Sequence, residues 1–261
     1  MQAETSKITQ ITQTTETKSL IERLFKAGAH FGFTRSRRHP TVTQFIFGSK
    51  QGTDIIDLEQ TSKLIETAKG ILHEAGKAGK VVLFVGTKEE VVKIVREFAL
   101  KAEMPYVVNR WIGGMLTNFT EIKKRIVRLA DLLAQGESGE LERKYTKKER
   151  VILGREIEKL DFNFGGIRAL ERMPALMIVV DPRHDSIATS EARELNIPVI
   201  GIMSSDTNLK EVTHPIIAND ALQTSVRMIL DELTTAYIAG KSEYVVPVAA
   251  PRRDDTRTYA H

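Results

Sequence analysis

At 261 residues, 41% of them hydrophobic, the chain is long enough to bury a sizeable core and reads as one globular α/β domain rather than a disordered protein. Its net charge of +4 permits an anionic partner without requiring one, so where the charges lie matters more than their sum. The absence of cysteine excludes disulfides, thiolate zinc sites, iron–sulfur clusters and cysteine nucleophiles, and the longest wholly apolar run, Ala175 to Val180, is far too short to span a bilayer.

In chain order, residues 1–17 form a polar arm without the apolar stretch of a secretory signal, so a soluble, cytoplasmic protein is expected. Leu20, Ile21, Leu24 and Phe25 suit one face of a short helix. From Arg23 to Thr53 no acidic residue occurs, while Arg23, Lys26, Arg35, Arg37, Arg38 and Lys50 accumulate into a local basic field. Ile55-Ile56 precedes a helix over Glu59 to Ala75, and the run Val81 to Val85 precedes another over Lys88 to Leu100. This alternation is a βαβ rhythm. Asp57-x-x-Gln60 and Thr87-x-x-Glu90 have the spacing of capping boxes, in which a short polar side chain accepts from free helix amides and the later residue reaches back.

Residues 119–161 are highly charged yet keep apolar side chains at spacings of three and four: Ile122, Ile126, Leu129 and Leu133, then Ile152, Leu153, Ile157 and Leu160. With Gly136, Ser138 and Gly139 between them, and a further capping box at Thr146-x-x-Glu149, these stripes predict an inserted antiparallel helical hairpin. Leu176 to Val180, a helix near Ser186 to Leu195, the strand Pro198 to Ile202 and a helix from Ala221 to Ile238 resume the pattern. Strands this apolar are buried on both faces, as in a parallel sheet. The expected domain is 18–240, followed by a flexible tail over 241–261.

A doubly wound sheet binds ligands beyond the carboxyl ends of its strands, which directs attention to Gly86-Thr87-Lys88 and Asp181-Pro182-Arg183. Neither carries a catalytic signature. The first lacks the spacing of a phosphate-wrapping loop, so Thr87 reads as a helix cap, with a phosphate contact through Lys88 as the other possibility. Asp181 before Pro182 reads as a turn former rather than a general base. The six histidines, at 30, 39, 73, 184, 214 and 261, show no metal-ligand spacing, and neither metal nor cofactor is expected.

Two segments suit RNA. His30 to Pro40 combines Phe31, Phe33 and Gly32 with Arg35, Arg37 and Arg38: guanidinium forks match phosphate oxygens, and aromatic rings stack on unpaired bases. Arg110 to Phe119 holds the only tryptophan, Trp111, with the pair Gly113-Gly114 and then Thr117 and Asn118 at the start of the hairpin. A buried corner with Asn118 as a cap explains these residues as well as binding does. Beyond it, Lys123, Lys124, Arg125 and Arg128 make the first turns of the hairpin basic.

Taken in order, Ala29-His30-Phe31-Gly32, Phe45-Ile46-Phe47-Gly48, Ile55 to Glu59, Val82 to Lys88, Arg110 to Phe119, Gly165-Gly166-Ile167 and Ile197 to Gly201 resemble the bacterial-type small-subunit ribosomal protein S2 family, over roughly Leu20 to Ala236. The resemblance implies a flavodoxin-like parallel sheet flanked by helices with a protruding helical hairpin. It implies a structural, non-enzymatic role on the ribosome, binding small-subunit ribosomal RNA, touching neighbouring ribosomal proteins and helping to seat the mRNA-binding ribosomal protein S1. Phe33 stands where the family commonly has a second histidine, and Arg38-His39 where it has Trp-Asn. The residues expected to meet RNA are His30, Arg35, Arg37, Arg38, His39 and Lys50 in the first segment, Lys88 at the sheet edge, and Arg110, Trp111, Thr117, Asn118, Lys123, Lys124, Arg125 and Arg128 in the second. No membrane or small-molecule partner is expected. The competing reading is a nucleotide- or phosphosugar-binding enzyme of doubly wound fold that uses Lys88 and Asp181.

Overall fold

The computed structural model of the protein describes residues 18–244. The arm expected over 1–17 and the expected tail beyond residue 244 lie outside the described residues.

A helix over 18–26 (α1) leads into β1 (Phe31–Thr34), β2 (Ile46–Lys50) and β3 (Thr53–Ile56), which form a small antiparallel sheet in the order β1-β3-β2. Ile55-Ile56 therefore does not open the parallel sheet as the βαβ rhythm suggested. Lys50 pairs with Thr53 across the two-residue turn Gln51-Gly52, whose residues both have positive φ (51° and 80°). That turn matches the twist of a hairpin and folds β3 back on β2 before any crossover can form.

Next come α2 (Leu58–Lys77), β4 (Val82–Val85), α3 (Val92–Ala102) and β5 (Tyr106–Val107), followed by α4 (Phe119–Glu137), α5 (Glu140–Lys144) and α6 (Lys147–Phe164). The chain closes with β6 (Leu176–Val180), α7 (Ser186–Glu194), β7 (Val199–Met203), β8 (His214–Ile217) and α8 (Gln223–Ser242). The last helix thus takes in the first two residues of the expected tail. The parallel sheet has the order β5-β4-β6-β7-β8, which counted within the sheet is 2-1-3-4-5, the flavodoxin-like order.

β4, β6 and β7 are buried at every position, and their alternating side chains feed two apolar layers. Phe84, Ile178 and Ile200 face α2, α3 and α8; Leu83, Met177 and Val199 face the side of α4, α6 and α7. On the first side α2 and α8 touch backbone to backbone. A Cβ at Gly240 would lie 2.0 Å from the His73 carbonyl oxygen, and one at Gly76 2.3 Å from that of Tyr237. On the second, Ile122, Ile126 and Leu129 of α4 share a core with Leu153 and Leu160 of α6, and Arg128 reaches Glu156 at 3.3 Å. The short helix α5 occupies the connection between α4 and α6.

Two of the three capping boxes form differently from their spacing. Thr146 and Glu149 make the full reciprocal pair. Asp57 accepts from the Glu59 and Gln60 amides, but Gln60 reaches back to the Asp57 carboxylate rather than to its backbone. Thr87 does not cap α3, which begins only at Val92; its amide and hydroxyl both donate to Asp185, at 3.0 and 2.6 Å. A carboxylate at the head of α7 outcompetes Glu90 for the same donors.

Candidate nucleic-acid interface

Ser205 ties the basic segment to the carboxyl edge of the parallel sheet twice. Ser205, just past β7, accepts from the Phe33 amide at its hydroxyl (2.9 Å) and from the His39 amide at its carbonyl (2.8 Å). Arg38 turns inward: Nε lies 2.6 Å from Asp54 Oδ2, and Nη2 completes a bidentate pair with Oδ1. Asp54 is fully buried, so Arg38 compensates an interior carboxylate, and those hydrogen bonds hold the guanidinium pKa above its ordinary value. Arg38, one of the residues expected to meet RNA, is thus engaged in an internal ion pair. Arg35, Arg37 and Lys50 are exposed and form no ion pair with any described residue, while Arg37 lies over the Phe33 ring at 6.0 Å. His30 stacks on Phe25, with centroids 4.4 Å apart, and meets Phe31 at a tilt, 4.0 Å away; burial lowers its pKa, so it contributes a ring and not a charge. Nδ1 of His39 is engaged by Thr41.

The loop after β5 is organised by Glu191 of α7, a residue to which the sequence drew no attention. Its carboxylate accepts from the Trp111 indole (3.1 Å), the amides of Gly114 (2.8 Å), Leu116 (2.9 Å) and Thr117 (3.2 Å), and the Thr117 hydroxyl (3.3 Å). Burial pushes the Glu191 carboxyl up, but these donors outweigh it and hold the group below its ordinary range. Trp111 is buried in the second apolar layer. The indole N–H of Trp111 and the Thr117 hydroxyl are thus engaged within the fold. Asn118 occupies the N-cap of α4 but makes no side-chain capping bond, so its predicted capping is not realised. Arg110 remains exposed, as does Arg125; neither pairs with a described carboxylate.

Along α4, Lys123 reaches the Glu171 carbonyl (3.3 Å), Lys124 pairs with Glu121 and Arg128 with Glu156. These contacts are solvent-exposed and of small worth, so phosphates can exchange for them.

Lys88 and Asp181 stand at the topological switch point between β4 and β6, where the enzyme reading would place its ligand. Lys88 Nζ lies 2.9 Å from Asp181 Oδ2 and 4.0 Å from Asp220 Oδ1, and Asp181 Oδ1 accepts from the His184 amide (3.1 Å). Lys88 is thus charge-compensated by Asp181 in the free protein. Asp220 is buried with neither carboxylate oxygen hydrogen-bonded; burial, with Asp181 and Asp206 nearby, raises its pKa to about 7 against the pull of Lys88. Above lies an open cleft of about 740 Å³ bordered by Arg37, Arg183, His184, Asp181 and Asp206, in which Arg183 pairs with Asp206. Among the described residues no group of three or more histidine, aspartate or glutamate side chains is placed to hold a metal ion.

A family profile described as "Ribosomal protein S2" matches residues 24–240. The chain is also 39% identical, over 223 residues, to the "Small ribosomal subunit protein uS2" of Salinibacter ruber (strain DSM 13855 / M31), an alignment covering 85% of this chain and 69% of that protein. With a flavodoxin-like sheet, a family profile over most of its length and a relative of 39% identity, the chain belongs to the ribosomal protein S2 family, a structural and non-enzymatic constituent of the small ribosomal subunit.

Proposed function

We propose that the protein holds small-subunit ribosomal RNA through the exposed cations of its acid-free segment, Arg35, Arg37 and Lys50, assisted by Arg110, Arg125 and the α4 patch of Lys123, Lys124 and Arg128. The observation that carries this reading is a division of labour within the segment. Arg38 neutralises the buried Asp54, whereas its neighbours Arg35 and Arg37 are exposed and unpaired with described residues, which leaves their charge available to phosphate. Trp111, Thr117 and Arg38 hydrogen-bond within the fold beside this surface and support its shape. Binding is then strongly salt-dependent, each neutralised phosphate adding roughly 0.7 to 0.9 to the log–log slope. Measuring RNA affinity against salt for the intact chain and for Arg35→Gln with Arg37→Gln tests it: the slope falls by about the number of cations removed. An unchanged slope removes this segment from the interface.

Family membership also supports a second role, seating ribosomal protein S1. Depleting this chain from small subunits is expected to release S1 from them, and full retention of S1 contradicts that role.

A further inference from the structure

The small antiparallel sheet has two unlike faces. Cross-strand partners share a face, so Phe31, Ile55 and Gly48 form one row and Thr34, Thr53 and Lys50 the next on the same side. Asp54 and Ile56, on the opposite side, are buried in the body of the protein, while Thr53 and Ile55 remain partly exposed. The single carboxylate of the sheet thus points inward, where Arg38 neutralises it, and the outer face carries Lys50 with no acidic side chain. Phe31 is 48% exposed on that face and backed by the stacked rings of His30 and Phe25. Beside it the sheet is bare: a Cβ at Gly48 would meet nothing within 4 Å.

We propose that this outer face binds unpaired RNA, one base stacking on Phe31 and lying over the open row at Ile55 and Gly48, with Lys50 and Arg35 meeting the flanking phosphates. An open sheet face with a partly exposed ring and peripheral cations suits single strands, whose bases are free to stack, and suits a duplex poorly, because its bases are already stacked. The His30–Phe25 stack fixes the ring from behind, so little side-chain freedom is lost on binding. The inference deepens the RNA-binding reading above by naming the form of RNA, and it rests on that reading.

The test uses the full chain and a short single-stranded RNA carrying 2-aminopurine, alone or annealed to its complement. The single strand binds more tightly than the duplex and its 2-aminopurine fluorescence is quenched. Phe31→Ala weakens single-strand binding roughly five- to a hundredfold and abolishes the quenching, while Phe31→Tyr preserves both. Gly48→Glu, which adds a carboxylate in open space without crowding the fold, weakens the single strand likewise. Equal affinity for single strand and duplex, or indifference to both Phe31→Ala and Gly48→Glu, overturns the inference. Loss of a ribosomal protein from particles carrying Gly48→Glu, with single-strand affinity unchanged, also overturns it and assigns the face to a protein. In either case salt-dependent RNA binding that responds to Arg35 and Arg37 leaves the broader reading standing, whereas failure of that response removes both.

Discussion

The indole nitrogen of Trp111 lies 3.1 Å from a carboxylate oxygen of Glu191, 80 residues further along the chain, and four more donors from the same loop converge on that carboxylate. One buried acid thereby shapes the turn from which the basic helix α4 departs.

Replacing Glu191 with alanine leaves five donors without an acceptor, three of them backbone amides, and is expected to cost about 3 kcal/mol or more. Thermal unfolding reads the loss, and quenched or shifted Trp111 fluorescence reads the loosened corner. Glu191→Gln, which keeps one acceptor oxygen, is expected to lose less. The donors depress the Glu191 pKa, so the stability they confer is present above the ordinary carboxylate range and is lost as pH falls through the lowered value. The glutamine variant should not show that acid-side loss.

Arg38 and Arg37 should separate cleanly. Arg38→Ala strands the buried Asp54 and is expected to destabilise by about 3 to 5 kcal/mol, while adding Asp54→Asn recovers much of the loss. Arg37→Ala is expected to leave unfolding within about 0.5 kcal/mol of the parent and to act on RNA affinity alone. Chemical denaturation of the three variants decides between these roles.

Asp220 predicts a pH dependence of the opposite sense to Glu191. Its folded pKa of about 7 exceeds the ordinary 3.8. Stability is unaffected by this group at low pH, where both states are protonated. It falls as pH rises from about 4 to about 7, because the unfolded chain ionises first, by on the order of a few kcal/mol. Asp220→Asn is expected to flatten that slope and to exceed the parent in stability above neutral pH. Parallel stability curves for the two proteins would refute the assignment.

Where α2 crosses α8, Gly76→Ala and Gly240→Ala each insert a methyl into backbone, at 2.3 and 2.0 Å, and are expected to force the helices apart at a cost of about 1 to 3 kcal/mol or more. Gly70→Ala in the same helix meets nothing within 4 Å and is expected to stabilise slightly, which makes it the control in thermal unfolding.

What the sequence made legible was local or strongly periodic. The uniformly apolar strands at Val82 and Leu176, the Thr146–Glu149 box and the stripes at Ile122 and Leu153 each announce themselves within a few residues. What it hid was long-range competition for hydrogen bonds. Thr87 has the spacing of a cap but is taken by Asp185, 98 residues away. Arg38 has the company of an RNA contact but is taken by Asp54 across the small sheet. That sheet was itself missed as a unit: its strands are four or five residues long, and bulges interrupt the alternation that would have marked them. Family resemblance named the particle correctly where composition and spacing alone left fold and binding evenly matched at Trp111.

Whether exposed cations of the acid-free segment hold the small subunit's RNA is decided by competition in living cells. Tagged parent and a variant with Arg35→Glu and Arg37→Glu are co-expressed, and their ratio in small subunits is measured after sucrose-gradient sedimentation. Arg38 is kept intact so that folding is not the variable. The variant is expected to be depleted from small subunits relative to its share of free protein. Equal shares in both pools would show that these cations do not hold the RNA.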